Sequence, residues 1–148
     1  MTKLERSIVI DGMAEEISAV TDDARRLPEW YSGLTQAIPD DLFPQPGGKV
    51  EMTYKSAGII FEMSQTTLEY ETARYGKYRM DGMLSGVYEE ILEPVDGGTR
   101  FTLKFDYEMP GGGVGKIVDK LVVERMNTKQ LEESLENIKT LIETRSNS

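Results

Sequence analysis

From Gly47 onward the hydrophobic spacing of this chain switches once, between Met109 and Val114, from a repeat of two to the three-and-four repeat of a helix. That switch limits the folds open to it. From Gly47 onward Val50, Met52 and Tyr54 alternate with Lys49, Glu51, Thr53 and Lys55, the pattern of a half-buried strand. Ala57-Gly58 makes a tight connection, and Ile59, Phe61 and Met63 lead a strand running to about Tyr70. Arg74 to Met80 alternates again, with Tyr78 and Met80 on one face. Gly86 to Leu92 is the next strand, closed by Glu93-Pro94 and turned by Asp96-Gly97-Gly98, a strong hairpin signal. Thr99 to Met109 alternates most clearly: Phe101, Leu103, Phe105 and Tyr107 face one way, and Arg100, Thr102, Lys104, Asp106 and Glu108 the other. Pro110 and Gly111-Gly112-Gly113 end this run. Ile117, Leu121, Leu131, Leu135, Ile138 and Ile142 then mark one amphipathic helix. From Val114 to Thr144 it would span about 46 Å at 1.5 Å per residue.

Before the alternating region, Leu4 to Ile10 reads as a strand broken by Asp11-Gly12. Ala14 to Val20 reads as a short helix. Arg26 to Leu34 reads as a second helical or turn segment, with Pro28 in its first turn and Gly33 near its stop. Pro39 to Gly48 reads as loop, and Arg145 to Ser148 as a frayed tail. A sheet with one apolar and one charged face buries the apolar one most simply against the long helix. The expected fold is therefore α+β: a curved antiparallel sheet of about seven strands around a long C-terminal helix, with two short helices after the first strand. A single domain over residues 1–148 fits the length, since no linker or repeat divides the chain. A cavity between sheet and helix is a natural site for an apolar ligand.

Composition removes several chemistries. The chain has no cysteine and no histidine, so disulfides, thiolate sites, imidazole bases and His-ligated metals are excluded. No acidic cluster has calcium-loop spacing, and no metal or cofactor is expected. The net charge of −9 argues against nucleic acid and against a generally anionic membrane surface as partner. No run reaches the length of a membrane span, and Met1 to Arg6 is charged, so the expected location is cytoplasmic without integral membrane association. Gly111-Gly112-Gly113 with Gly115-Lys116 is no phosphate loop, because Ile117 stands where Ser or Thr is required. These glycines suit a hinge that lets the helix move against the sheet. Asp22-Asp23, Asp40-Asp41 and Glu132-Glu133 read as solvated acidic surface.

Several segments taken in order resemble the START/polyketide-cyclase superfamily, also called SRPBCC, with its helix-grip fold. They are Glu5-Arg6-Ser7-Ile8-Val9-Ile10-Asp11, Ala14-Glu15-Glu16-Ile17, and Leu27-Pro28-Glu29-Trp30-Tyr31 with its Pro-x-Trp. Gly97-Gly98-Thr99-Arg100-Phe101-Thr102-Leu103 and the stretch from Leu131 to Lys139 complete the set. The resemblance covers nearly the whole chain and implies a hydrophobic cavity beneath the last helix. It is nearest to small members called polyketide cyclase/dehydrase-like, a name that describes a family more than an activity.

The candidate ligand-contacting residues are Trp30, Met52, Tyr54, Phe61, Met63, Tyr78, Met80, Tyr88, Glu90, Phe101, Leu103, Phe105, Tyr107 and Leu121. Trp30 either lines the cavity mouth or anchors the short helices by burying its ring. The tyrosines offer polar handles in an apolar wall, or hydroxyls that reach backbone and rim. Glu90 shares strand parity with Gly86, Tyr88 and Leu92, which allows an inward direction, but glutamates are rarely fully buried, so the expectation is that a bulge or the strand end takes it to water. Arg79 and Arg74 are conceivable partners for an inward Glu90. Three functions fit this set: a carrier or sensor for a small hydrophobic molecule (a lipid, isoprenoid or polyketide-like compound); a cyclase or dehydratase using Tyr, Glu, Asp, Lys or Arg; and an accessory protein holding a protein partner. No catalytic residue is singled out.

Overall fold

A computed structural model describes residues 2–56, 58–108 and 120–146. The order is β1 (Thr2–Ile10), α1 (Ala14–Thr21), a single 3-10 turn (Ala24–Arg26), α2 (Leu27–Trp30), then β2 (Leu34–Pro39), β3 (Lys49–Ser56) and β4 (Ile59–Glu71). There follow β5 (Tyr75–Gly82), β6 (Ser85–Val95), β7 (Gly98–Glu108) and α3 (Lys120–Ser146). All seven strands form one antiparallel sheet in the order β1-β7-β6-β5-β4-β3-β2. Six of them are a meander of consecutive hairpins. β1 closes the far side by pairing with β7, from Thr2 opposite Tyr107 to Ile10 opposite Thr99. The sheet curves around α3, and the architecture is the helix grip.

Period-two patterning becomes the inner face of the sheet. Val50, Met52, Tyr54, Met63, Tyr78, Met80, Tyr88, Phe101, Leu103, Phe105 and Tyr107 are buried, with Phe61 half-buried beside them. The hairpin between β6 and β7 turns at Asp96-Gly97-Gly98, where both glycines take positive φ. A Cβ at Gly98 would fall 2.0 Å from the Ile10 carbonyl, so the turn also needs a glycine to sit against the end of β1. On α3, Leu131, Leu135, Ile138 and Ile142 are almost fully buried. Each leucine or isoleucine buried there is worth about 1.5–3 kcal/mol of apolar transfer, which is why the helix adheres to the sheet.

Four segments differ from the sequence reading. Residues 34–39 form the edge strand β2, not the end of a helical segment or the start of a loop. A register shift between Leu34 and Gln36 leaves only Leu34 and Ala37 buried, which erases the period of two. β6 continues through Pro94 to Val95, because a proline is tolerated where the ladder ends beside a turn. α3 extends to Ser146, into the stretch that the sequence pattern reads as a frayed tail. Leu121, a member of the apolar stripe by spacing, is 51% exposed. It lies ten residues before Leu131, which at 100° per residue puts it well off the buried line. Val123 and Asn127 hold the stripe instead. Ala57, Met109, Pro110, the glycines 111–113 and 115, the helix start at Val114, Lys116 and Ile117 lie outside the described residues, as does the hinge reading built on them.

Candidate functional site

The first turns of α3 stand off the sheet. The gap is a cavity of about 420 Å³, within the range that holds a small ligand. Its sheet wall is Tyr54, Phe61, Met63, Met80, Tyr88 and Phe105; its helix wall is Val123, Met126, Asn127 and Gln130. Met83 and Leu84 from the β5–β6 turn, with Tyr31, Ser32 and Gly33 after α2, complete it. Tyr54 and Phe61 are cross-strand partners stacked at 5.4 Å between ring centroids. Tyr31 meets Tyr88 edge-on at 5.8 Å and Tyr54 edge-on at 6.2 Å. The wall is thus aromatic and thioether, materials that adapt to varied apolar shapes.

Polar groups fix the two sides of this space. Asn127 is buried on α3, and its Nδ2 has no hydrogen-bond partner among the described residues. A buried amide donor without a partner is costly, so this side chain favours a bound oxygen. Lys55, Lys129 and Glu133 stand toward the mouth. A polar clasp holds α3 beside the cavity: Gln130 Nε2 donates to the Ser32 carbonyl at 2.7 Å, Ser32 N–H donates to Ser134 Oγ at 2.8 Å, and Asn137 Nδ2 donates to the Trp30 carbonyl at 3.0 Å.

Tyr31, Tyr54, Met80 and Tyr88 also bound a second, inner pocket of about 20 Å³, room for one water-sized group. Met52, Gln65, Phe43, Tyr78 and Glu90 surround it. Glu90 is 8% exposed. No bulge rescues it to solvent: β6 pairs with both neighbours in unbroken register through it. Tyr88 Oη donates to Glu90 Oε2 at 3.1 Å. Neither candidate arginine pairs with it; Arg79 bonds Asp81 and Arg74 bonds Glu71. Burial, with the negative charge of Asp22, pushes the Glu90 carboxyl up to about 8, while the Tyr88 bond opposes the shift. Burial thus favours its neutral form, which can donate as well as accept. Burial also holds the Tyr31 and Tyr88 phenols well above their usual range. Gly76 makes room for this floor, because a Cβ there would fall 2.2 Å from Tyr78 Oη.

The structure therefore brings together Tyr54, Phe61, Met63, Met80, Tyr88 and Phe105 around the main cavity, and Met52, Tyr78 and Glu90 around the inner one. Trp30, Phe101, Leu103, Tyr107 and Leu121 line neither. Trp30 is fully buried between Phe101, at 6.0 Å, and Tyr31, at 5.5 Å. Tyr31, Gln65, Val123, Met126 and Asn127 join the walls without being among the residues that the sequence singles out. Asn127 carries a readable signal: it sits four residues before Leu131, a polar residue on the buried stripe.

The profile of a family described as "Polyketide cyclase / dehydrase and lipid transport" matches residues 1–143. The chain belongs to that family. Among solved structures, the Zhui aromatase/cyclase from Streptomyces sp. R1128 superposes with a TM-score of 0.86 at 16% identity, covering 98% of this chain and 95% of that one. The di-domain aromatase/cyclase StfQ of the steffimycin pathway gives 0.82 at 13% identity, covering 99% of this chain and 52% of its own. TTHA0849 from Thermus thermophilus gives 0.79 at 15% identity, covering 98% and 99%. At these identities the likeness is one of fold. Among curated protein sequences, none matches significantly. Among the described residues of this polyketide cyclase/dehydrase family member, no helix is long and apolar enough to cross a membrane, and no cluster of acidic side chains could hold a metal.

Proposed function

We propose that this protein binds a small apolar molecule bearing a neutral oxygen substituent, in the space between the first turns of α3 and the sheet. The observation that carries the reading is the cavity of about 420 Å³, walled by aromatic and methionine side chains and backed by a buried acid. Tyr54, Phe61, Met63, Met80, Tyr88 and Phe105 would contact the apolar body. Asn127 Nδ2 would donate to an oxygen on the helix side. The inner pocket, with Met52, Tyr78 and Glu90, would accept one hydroxyl or carbonyl group. A neutral Glu90 selects against carboxylate ligands only weakly by charge, but it rewards an oxygen that can share its proton.

Native mass spectrometry of freshly purified protein tests this. Added mass that survives gentle ionisation and disappears on denaturation is the expected result. A clean unliganded mass, together with no binding across lipid, isoprenoid and aromatic compounds, would overturn it.

A second reading, a cyclase or dehydratase, is favoured by one feature: Glu90, a buried carboxyl whose burial raises its pKa, is in contact with Tyr88 beside the cavity. A group that titrates near 8 is well placed to exchange a proton at neutral pH. Against it, Tyr31, Tyr54 and Tyr88 stand between Glu90 and the larger space. Turnover of a polyketide-like substrate that Glu90→Gln abolishes would support the enzyme. Turnover indifferent to that change would remove Glu90 from it.

A further inference from the structure

The chain carries eight methionines and no cysteine, so its thioethers are the only sulfur that a two-electron oxidant can reach. Five of them line the two pockets: Met63, Met80, Met83 and Met126 the larger, Met52 and Met80 the smaller. They fall into two classes. Met52, Met63 and Met80, on the sheet, are buried. Met83, on the β5–β6 turn, is 47% exposed, and Met126, on α3, is 38% exposed. Thioethers that fill irregular space inside a core are ordinary. These two instead lie half in water and half in the wall of an apolar cavity. An oxidant can reach the sulfur there, and the cavity feels the result.

Met126 has a second feature. Ser56 Oγ donates to its sulfur at 3.4 Å, a contact between the end of β3 and the first turns of α3. Both residues line the cavity. That bond uses one sulfur lone pair and leaves the other open. A thioether sulfur is a weak acceptor, whereas a sulfoxide oxygen is a strong one, so the same hydroxyl would hold the oxidised group in place. Met13 supplies the contrast: it is 64% exposed but lines neither pocket. Met1 and Met109 lie outside the described residues.

We propose that Met83 and Met126 are a modification site, and that hydrogen peroxide, by converting these thioethers to sulfoxides, releases the cavity's apolar ligand. In each step a sulfur lone pair attacks one peroxide oxygen. The S–O bond forms as the O–O bond breaks, and the hydroxide released takes up the remaining proton and leaves as water. The sulfur loses two electrons and the peroxide gains them. The product side chain is polar, so covering it with an apolar ligand costs desolvation. Reduction by a methionine sulfoxide reductase returns the thioether, and with it the binding. Release of the ligand rests on the binding reading given above; the selective oxidation does not.

Brief treatment with hydrogen peroxide, followed by peptide mass mapping and titration with the apolar fluorophore N-phenylnaphthylamine, tests it. Met83, Met126 and Met13 should each gain one oxygen before Met52, Met63 and Met80 gain any. Probe affinity should fall by about fivefold or more, with the melting temperature little changed, and the reductase should restore it. Met83→Leu with Met126→Leu, compared only with its own untreated state, should lose no affinity on treatment although Met13 is still oxidised. Equal oxidation of the buried methionines, or an equal loss of affinity in the double variant, would overturn the proposal. A treated protein that unfolds would overturn it as well. If untreated protein binds the probe and protein oxidised at Met83 and Met126 binds it equally well, ligand release fails and the binding reading stands. If untreated protein does not bind the probe, the binding reading fails and ligand release with it, while the mass map still decides the selective oxidation.

Discussion

The two ends of α3 rest on the same sheet and do different things. From Leu131 to Ile142 the helix buries Leu131, Leu135, Ile138 and Ile142 with almost no exposure. From Lys120 to Gln130 it stands away, and Val123, Met126 and Asn127 face a cavity. The boundary is the clasp, where Gln130, Ser134 and Asn137 bind the backbone of residues 30–32. One end is a packed anchor, and the other is a roof. The difference teaches that stability and binding are assigned to separate stretches of one helix, so each can be altered without the other.

The largest expected effect lies at the anchor. Ile138→Ala should cost about 2–5 kcal/mol in chemical denaturation, the loss for a fully buried isoleucine that leaves a void. Probe binding by the fraction still folded should persist.

An effect of comparable size, spread over pH, lies at the floor of the cavity. The Glu90 carboxyl binds its proton more tightly in the folded chain than in the unfolded one, about 8 against an ordinary 4.5. The folded state therefore holds a proton that the unfolded state has lost throughout that window. Stability is fully present below about 4.5, falls as pH rises, and levels off above about 8, at up to roughly 1.4 kcal/mol per pH unit. Asp22, also raised by burial against the Ser18 and Tyr70 hydrogen bonds, adds loss in the same direction as it ionises. Denaturation midpoints across this window should show the decline, and Glu90→Gln should flatten most of it. An unchanged slope in Glu90→Gln would place the titration elsewhere.

The clasp ranks third. Ser134→Ala removes the acceptor for Ser32 N–H and should cost about 1 kcal/mol, with a weaker probe signal as the roof loosens. Met126→Ala should be smallest for stability, about a few tenths of a kcal/mol at a side chain that is 38% exposed. It should still lower probe affinity severalfold, because Met126 forms part of the roof. A large stability loss there would erase the distinction between the two ends.

Much of the sheet is legible because β3 and β5–β7 keep a strict alternation over long runs. Their inner residues can be named from parity alone. β2 is not legible, since its bulge between Leu34 and Gln36 breaks that parity at an edge with few buried residues. β4 has a second break between Thr67 and Glu69, and its inner face carries Gln65 and Thr67, which no hydrophobic count would choose. Parity also separates inside from outside but not cavity from core. Phe101, Leu103 and Tyr107 share a face with Phe105, yet only Phe105 borders the cavity. What divides them is where α3 lifts from the sheet, a tertiary distance that no local pattern encodes. Glu90 shows the same limit in reverse: parity allows its inward direction, the rarity of buried glutamates argues for water, and the structure buries it, while Arg79 and Arg74 turn to other carboxylates for reasons that parity does not hold.

The most direct test fills the roof without touching the anchor. Val123→Trp places a large ring into the cavity from α3, opposite Tyr88 and Phe105. N-phenylnaphthylamine fluorescence should saturate at one site in the wild-type protein, and Val123→Trp should abolish it with the melting temperature essentially unchanged. Undiminished binding in a folded Val123→Trp protein, or no binding in the wild type, would contradict the account.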